Sequence, residues 1–299
     1  MARSKAVSLV DFLYAASWDE ALAAKADRPD SVPIAGGTDL MVELNFDRRR
    51  PEVLLDLNGV PELHQWERVD QVVRIGAGMP FTRIIAEVGR LAPGLAIAAR
   101  TVGSPQIRNR GTLGGQLGTA SPAGDALPPL VSVDALVEVA SVRGERLVPV
   151  REFFTGPKRN VLEPDELVRA VRVPVADGPQ QFAKVGTRNA MVISVCGFAL
   201  SLHPTTGLVG TCIGSAGPTV LRALDAEQLL QGELADSGRW ESRAALDERL
   251  VARFGELAAQ SARPIDDVRG TANYRRHAVG VMARRTLAWA WREYQDAAA

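Results

Sequence analysis

Arg108-Asn109-Arg110-Gly111-Thr112-Leu113-Gly114-Gly115-Gln116-Leu117-Gly118-Thr119-Ala120-Ser121-Pro122-Ala123-Gly124-Asp125 is the stretch that decides how this chain is interpreted. It combines glycines, small hydroxyl residues and one carboxylate, and it holds too few apolar side chains for a core element. Paired glycines let a backbone approach a ligand closely and turn its N–H groups outward, an arrangement that suits a phosphate. The stretch therefore predicts an anion-binding loop.

A second pair of glycines ends an apolar segment earlier in the chain, in Val32-Pro33-Ile34-Ala35-Gly36-Gly37-Thr38-Asp39. Most Gly-Gly pairs are simply tight turns, and that interpretation stays open for the first loop taken alone. Two such loops in one chain favour a ligand with a long body that carries phosphates. A dinucleotide fits that description best.

The composition is that of an ordinary globular protein, with 46% hydrophobic and 23% charged residues among 299. Its 35 basic and 35 acidic side chains balance, which argues against nucleic-acid binding because that needs a basic surplus on one face. The cluster Arg48-Arg49-Arg50 precedes Pro51 and is interpreted as a solvated turn, with phosphate contact as the alternative. We expect no signal peptide. We also expect no membrane span, because a membrane-spanning helix would need about 18 apolar residues in a row.

Two cysteines, Cys196 and Cys212, lie in apolar stretches typical of strands. A disulfide framework is disfavoured, and so is an iron–sulfur cluster of the chain's own, which takes about four thiolates. We expect two buried free thiols and a reduced, cytoplasmic protein. The three histidines lie far apart and lack metal-ligand spacing, so no metal site is predicted.

Three units are predicted along the chain, over residues 1–60, 61–177 and 178–299. Ser17-Trp18-Asp19-Glu20 is a capping box that opens a helix, and Phe81 to Val88 is predicted as another. Strand and hairpin patterns, including one that begins at Val192, precede helical patterns over 239–260 and 274–294. Strands first and helices afterwards predict an α+β fold rather than a doubly wound sheet.

The motifs resemble those of the FAD-binding medium subunits of molybdenum hydroxylases, the family of xanthine dehydrogenase and carbon monoxide dehydrogenase. Residues 35–39 reproduce the family's first loop, and residues 106–125 resemble its second loop. Gln116 stands where the family usually has Asn, and its longer amide could keep the same hydrogen bond only in a relaxed loop. Further segments, such as Phe154-Thr155-Gly156-Pro157-Lys158 and Tyr274-Arg275-Arg276, extend the likeness through the whole chain.

The resemblance implies a two-part FAD-binding fold of the vanillyl-alcohol-oxidase (PCMH) type, followed by a small C-terminal α+β domain with an antiparallel sheet and helices. FAD would lie between the first two units, with its pyrophosphate held by backbone N–H groups of residues 35–39 and 112–116. Asp125 would accept from adenosine or ribityl hydroxyls, Leu167 or Val168 would line an edge of the cofactor, and Lys184 would lie near the isoalloxazine. The implied cofactor-binding residues are Val32, Pro33, Ile34, Ala35, Gly36, Gly37, Thr38, Asp39, Thr112, Leu113, Gly114, Gly115, Gln116, Asp125, Leu167, Val168 and Lys184.

By the same resemblance, substrate is oxidised on a molybdenum cofactor in a large subunit, and electrons pass through [2Fe–2S] clusters of a small subunit to this chain. They leave for NAD, oxygen or another acceptor, in a complex expected to be a dimer of heterotrimers. No catalytic residue is expected on this chain. A stand-alone flavin oxidase of the same fold and a subunit that has lost FAD are the alternatives, and nothing in the sequence chooses the organic substrate.

Overall fold

Four β-sheets and the helices packed on them make up residues 10–297, the part of the chain that the computed structural model describes. A parallel sheet lies within residues 11–56, and a five-stranded antiparallel sheet lies within residues 66–174. A three-stranded antiparallel sheet lies within residues 180–214, and long helices follow it. The predicted α+β class is confirmed.

Three short parallel strands form the first sheet: β1 (Asp11–Tyr14), β2 (Val32–Ile34) and β3 (Val53–Asp56). β3 lies in the centre, and helices α1 (Trp18–Asp27) and α2 (Leu40–Asn45) make the connections. α1 begins at the predicted capping box, because the Ser17 hydroxyl accepts from the Glu20 N–H at 3.2 Å and the Glu20 carboxylate accepts from the Ala16 N–H at 2.8 Å. The first glycine loop therefore lies between the end of β2 and the start of α2.

The second sheet begins with two hairpins: β4 (Trp66–Val69) with β5 (Val72–Gly76), and β6 (Leu136–Ser141) with β7 (Gly144–Pro149). A ribbon of β8 (Phe154–Gly156) and β9 (Arg159–Asn160) follows, and β10 (Leu167–Pro174) then pairs between β5 and β6. The helices of this unit are α3 (Phe81–Arg83), α4 (Pro93–Thr101), α5 (Pro105–Arg110), α6 (Leu113–Thr119), α7 (Leu127–Ser132) and α8 (Val150–Phe153). The second glycine stretch lies on these helices, within residues 77–135, which separate the hairpins.

The third sheet has the order β11 (Gln180–Val185), β12 (Cys196–His203) and β13 (Leu208–Gly214). Four helices follow: α9 (Leu224–Asp236), α10 (Arg239–Ser242), α11 (Glu248–Ser261) and α12 (Ala272–Asp296). Phe198 of β12 packs edge-on against Phe254 of α11 in their shared core. The opposite face of the sheet contacts α4 and α7, where the hydroxyl oxygens of Ser132 and Ser201 lie 2.9 Å apart. The third sheet is thus covered by helices from two units.

Two local predictions are wrong. The helix predicted over 239–260 is broken, because Arg243 adopts a left-handed conformation with φ of 51° and its guanidinium donates to the Tyr294 carbonyl at 2.8 Å. The strand predicted from Val192 begins only at residue 196. The helix predicted from Phe81 to Val88 is present, with an α-helical turn in α3 that passes into a π-helical turn over residues 84–88. In the first case a tertiary contact overrides the local pattern.

Both cysteines are buried and free, as predicted. Burial raises the pKa of the Cys196 thiol to about 12, so this group stays protonated and unreactive near neutral pH. Within residues 10–297, no helix combines the length and the apolar character needed to cross a membrane.

Two helical glycines provide a matched test of the packing. A Cβ at Gly255 of α11 would lie 2.8 Å from the Gly280 carbonyl oxygen of α12, whereas a Cβ at Gly232 of α9 meets nothing within 4 Å. We expect Gly255→Ala to lower the free energy of unfolding by about 1–3 kcal/mol because the two helices must separate. Gly232→Ala should raise it by roughly 0.5–1 kcal/mol, since alanine loses less backbone entropy in a helix. Urea unfolding measures both changes, and shifts of the same sign would contradict this packing.

Candidate cofactor site

The two glycine loops lie against each other in the structure. A Cβ at Gly36 would lie only 1.9 Å from the carbonyl oxygen of Arg110, so only glycine allows this approach. The Thr119 hydroxyl donates to the Asp39 carboxylate at 3.4 Å and adds a second link between the loops. Motifs that are about 75 residues apart in sequence therefore form one surface.

The first loop presents backbone donors without protein partners. The N–H groups of residues 36–39 donate to no acceptor among residues 10–297. The loop is held from behind, because the Leu57 N–H donates to the Ile34 carbonyl and the Asn58 amide donates to the Ala35 carbonyl, each at 2.9 Å. Gly37 has a φ of 73°, which is a conformation that other residues seldom adopt. A rigid loop with open N–H groups is able to bind an anion.

The second glycine stretch is not an open loop. Its central part is helix α6, and Leu113 and Leu117 are fully buried, so the expectation that the stretch is too polar for the core is wrong. Thr112 caps this helix, and its hydroxyl accepts from the Gly115 N–H at 3.0 Å. Alternation of small and apolar residues at helical spacing was the signal that could have shown this helix.

The backbone donors of α6 have acceptors within the protein. The Gly114 N–H donates to the Ala77 carbonyl at 2.8 Å, the Gln116 N–H donates to the Thr112 carbonyl at 3.1 Å, and the Leu113 N–H makes a longer contact with the Met79 carbonyl. Of residues 112–116, only the Thr112 N–H is left without an acceptor among the described residues, and the hold of this segment on a pyrophosphate stays a prediction. The second loop shapes the surface on which the first loop's donors lie open.

Gln116 holds the turn that carries Asp125. Its side-chain oxygen accepts from the Ala126 N–H at 2.9 Å, and a Cβ at Gly124 would lie 3.0 Å from its Cγ atom. The longer amide thus reaches across α6 to the following turn. Its effect is to fix the backbone on either side of Asp125.

Asp125 and Lys184, which were predicted to serve separate parts of a cofactor, form a buried ion pair. The Lys184 ammonium donates to Asp125 Oδ2 at 2.5 Å and to the Thr101 carbonyl at 3.1 Å, and the Thr101 hydroxyl donates to the same Oδ2 at 3.0 Å. Burial raises the pKa of Asp125 above its ordinary value, and the lysine opposes this rise. Thr101 ends α4 and carries no sequence motif, so its part in this cluster was missed.

One carboxylate oxygen of Asp125 makes no hydrogen bond to the described residues. Oδ1 is buried and has no hydrogen-bond partner among the described residues 10–297. A buried carboxylate oxygen without a partner is costly, so a donor from a ligand would satisfy it. By contrast, Leu167 and Val168 are buried in the core where β10 pairs with β6. Their predicted contact with a cofactor edge stays a prediction.

Comparison with known proteins gives the family. Residues 7–176 match the family described as FAD binding domain in molybdopterin dehydrogenase, and residues 181–290 match the CO dehydrogenase flavoprotein C-terminal domain. The chain belongs to this flavoprotein family. The resemblance seen in the sequence is confirmed, and the chain is an FAD-binding subunit of the oxidoreductase class.

Named relatives and a solved structure agree with this assignment. The flavoprotein is 30% identical to the xanthine dehydrogenase FAD-binding subunit of Escherichia coli O157:H7 over 286 residues. The matched region covers 91% of this chain and 93% of that subunit. It is 36% identical over 217 residues to the nicotinate dehydrogenase FAD-subunit of Eubacterium barkeri, with coverage of 69% and 73%. A structure of carbon monoxide dehydrogenase from Hydrogenophaga pseudoflava that lacks the Mo-pyranopterin moiety superimposes with a TM-score of 0.86 at 29% identity, over 95% of this chain and 98% of that chain.

The residues of the flavoprotein fit FAD on two observations. The open N–H groups of residues 36–39 match a pyrophosphate, which accepts hydrogen bonds and needs no paired lysine. The unpartnered Asp125 Oδ1 matches a hydroxyl donor, and FAD carries several on its ribityl and ribose parts. Donors and acceptor are thus both supplied by residues that the sequence had singled out.

Removal of Lys184 tests the ion pair. In Lys184→Met the Asp125 carboxylate loses the ammonium that opposes the effect of burial, so its folded-state pKa rises further above 3.8. The folded state then binds more protons than the unfolded state, and stability falls as the pH rises above about 4. We expect a loss of about 3–5 kcal/mol at pH 8 and a smaller loss at pH 5.

Urea unfolding at the two pH values measures this dependence. Lys158→Met is the control, because its ion pair with Glu43 lies on the surface and its loss should be much smaller. A Lys184→Met variant whose stability loss is the same at both pH values would contradict a buried Asp125 charge.

Proposed function

We propose that this flavoprotein is the electron-output subunit of a molybdenum-containing hydroxylase or dehydrogenase complex. Electrons from [2Fe–2S] clusters of a small partner subunit would leave through this chain toward NAD or another acceptor. The observation that carries the proposal is the set of open amides at residues 36–39, set against the second glycine loop in a chain of this family. FAD, when bound, supplies a carrier that exchanges electrons singly or in pairs.

The chain's own residues bind and orient this cofactor. The N–H groups of Gly36 to Asp39 would donate to the pyrophosphate, with the Thr38 hydroxyl as a further donor. Asp125 Oδ1 would accept from a hydroxyl of the cofactor. Lys184 is proposed to lie near the isoalloxazine, but its charge is largely balanced by Asp125 at 2.5 Å. Its main effect would then be to keep the Asp125 carboxylate ionised and oriented.

The partners are proposed from the relatives. A nicotine 6-hydroxylase medium subunit and a carbon monoxide dehydrogenase medium chain are similar to this chain over 86% and 88% of its length. We propose a large molybdenum subunit and a small [2Fe–2S] subunit as partners, in a cytoplasmic dimer of heterotrimers. The predicted units 1–60, 61–177 and 178–299 would be the two FAD-binding subdomains and the C-terminal domain. The organic substrate would be chosen by the large subunit.

An absorption spectrum of the purified chain tests the cofactor first. We expect flavin bands and the release of FAD on denaturation, because the open amides match its pyrophosphate and the Asp125 oxygen matches one of its hydroxyls. Chromatography of the released chromophore identifies it. A colourless chain that also fails to take up added FAD would refute the cofactor assignment.

Substitution of Gly36 tests the loop itself. In Gly36→Ala the added Cβ would collide with the Arg110 carbonyl, so the loops must separate and the open amides move. We expect less than about one tenth of the wild-type FAD per chain, since lost or misplaced hydrogen bonds to a charged group cost roughly 1.5–3 kcal/mol each. Gly118→Ala is the control, because a Cβ there meets nothing within 4 Å. Wild-type FAD content in Gly36→Ala would contradict the assignment of this loop.

A further inference from the structure

Asn58, in the turn after β3, holds the backbone of the first glycine loop by its side chain. Its amide Nδ2 donates to the Ala35 carbonyl at 2.9 Å and to Asp56 Oδ1 at 2.6 Å. Both neighbours are acceptors, so an amide NH2 group, which has two donors on one atom, satisfies them together. Within residues 10–297, no other side chain makes a hydrogen bond to the backbone of residues 35–38.

The Ala35 carbonyl fixes the direction of the next amide along the chain. The carbonyl and the N–H of one trans peptide point in opposite directions, and no peptide bond of the described residues is cis. Because Asn58 lies at the Ala35 carbonyl, the Gly36 N–H of the same peptide points away from Asn58. This N–H is the first of the open donors at residues 36–39. Asn58 thus sets the direction of a donor that belongs to another residue.

The peptide between Ala35 and Gly36 needs such a hold because it ends at a glycine. Rotation of a peptide plane changes the φ of the residue after it, and glycine adopts positive and negative φ about equally well. Gly36 does not have a positive φ in the structure. A flipped peptide would turn the Ala35 carbonyl oxygen to the side on which the Gly36 N–H now lies. That oxygen would repel a phosphate, whereas the N–H binds one.

Asn58 is itself held by its surroundings. Its N–H donates to Asp56 Oδ1 at 2.9 Å, and its carbonyl accepts from His64 Nε2 at 3.2 Å. Asp56 ends β3, where it lies opposite Ile34 of β2 in the parallel sheet. The amide is therefore anchored to the sheet before any ligand arrives. A group that is already in place costs less conformational entropy on binding.

We infer that Asn58 is a positioning residue for the cofactor, because it selects the orientation of the Ala35–Gly36 peptide that suits a pyrophosphate. It acts through the Gly36 N–H. The inference rests on the proposed function, since it concerns FAD at this loop. It adds a residue that lies outside both glycine motifs, and it assigns a single donor direction to a single side chain.

Two substitutions of Asn58 separate loss of the hold from its reversal. Asn58→Ala removes the hydrogen bond to the Ala35 carbonyl. Asn58→Asp keeps the shape of the side chain but presents an oxygen to that carbonyl. The new oxygen repels the carbonyl and attracts the Gly36 N–H, so it favours the flipped peptide. The carboxylate variant should therefore bind FAD more weakly than the alanine variant.

The test uses the full chain freed of FAD, with FAD added back in a titration that flavin fluorescence follows. We expect the dissociation constant to rise about 10-fold in Asn58→Ala and about 30-fold or more in Asn58→Asp, the range for a lost hydrogen bond to a charged group. Urea unfolding of the same FAD-free variants measures their stability separately.

Phosphorus-31 nuclear magnetic resonance distinguishes positioning from a general loss of stability. At saturating FAD we expect the pyrophosphate resonances of Asn58→Ala to differ in chemical shift from those of the wild type. The visible absorption of the flavin ring should stay the same, because Asn58 acts at the pyrophosphate. If Asn58 served stability alone, bound FAD would keep its wild-type contacts and its wild-type resonances.

Two controls match the substitutions in kind. Ser17→Ala removes the cap of α1 in the same unit, which lowers stability without altering the loop. Asn160→Ala removes a similar bond from the second glycine stretch, where the Asn160 amide donates to the Gly118 carbonyl at 3.2 Å. Both controls should bind FAD with the wild-type dissociation constant.

The outcomes separate this inference from the proposed function. A wild-type chain that fails to bind FAD would overturn the proposed function itself. Wild-type binding of FAD, with unchanged affinity in both Asn58 variants, would overturn the positioning role alone. Weaker binding with wild-type phosphorus resonances, or an equal loss of affinity in Ser17→Ala, would also refute it. If Asn58→Asp does not fold, Asn58→Ala decides by the same two measurements.

Discussion

The contact between Gly36 and the carbonyl of Arg110 is the constraint on which the candidate site depends. No side chain fits there, because a Cβ would lie 1.9 Å from the carbonyl oxygen. The loop that follows β2 therefore packs directly against the segment that precedes α6. The open amides of residues 36–39 belong to a loop that is held on both sides, by Asn58 on one side and by the second loop on the other.

The two glycine loops contribute different things to this surface. The second loop has the longer and more recognisable motif, yet most of its backbone donors are used within the protein by Ala77 and Thr112. Its glycines serve close packing, since a Cβ at Gly114 would lie 2.5 Å from Ala77 Cβ. The first loop has the shorter motif and keeps its donors free. The longer glycine motif thus serves packing, while the backbone donors without acceptors among the described residues lie in the shorter one.

The C-terminal domain takes part in the site through side chains and through packing. Lys184 of β11 reaches Asp125 and Thr101 in the FAD-binding domain and makes a buried ion pair between the domains. Gly210 of β13 lies so close to Ser132 that a Cβ would be 1.8 Å from the serine carbonyl oxygen. A buried charge without its partner is strongly unfavourable, so the domains are held in register by the same residues that are proposed to orient the cofactor. The candidate site and the contact between the domains therefore share Asp125 and Lys184.

The sequence by itself determined the α+β class, the capping box at Ser17, the two buried cysteines, the glycine loops and, through its motifs, the flavoprotein family. These features depend on residue type and short spacing, which are local properties. Only the tertiary structure decided that the α6 amides are internally bonded, that Asp125 pairs with Lys184, that Arg243 breaks a helical pattern, and that Asn58 holds the carbonyl of Ala35. Each of these features depends on residues that are distant in sequence. Whether a donor has an acceptor, or a charge has a partner, is decided by the residues that the fold brings next to it. A residue pattern does not specify such distances. The glycine loops could therefore be predicted from the sequence, but which of them keeps its backbone donors unpaired could not.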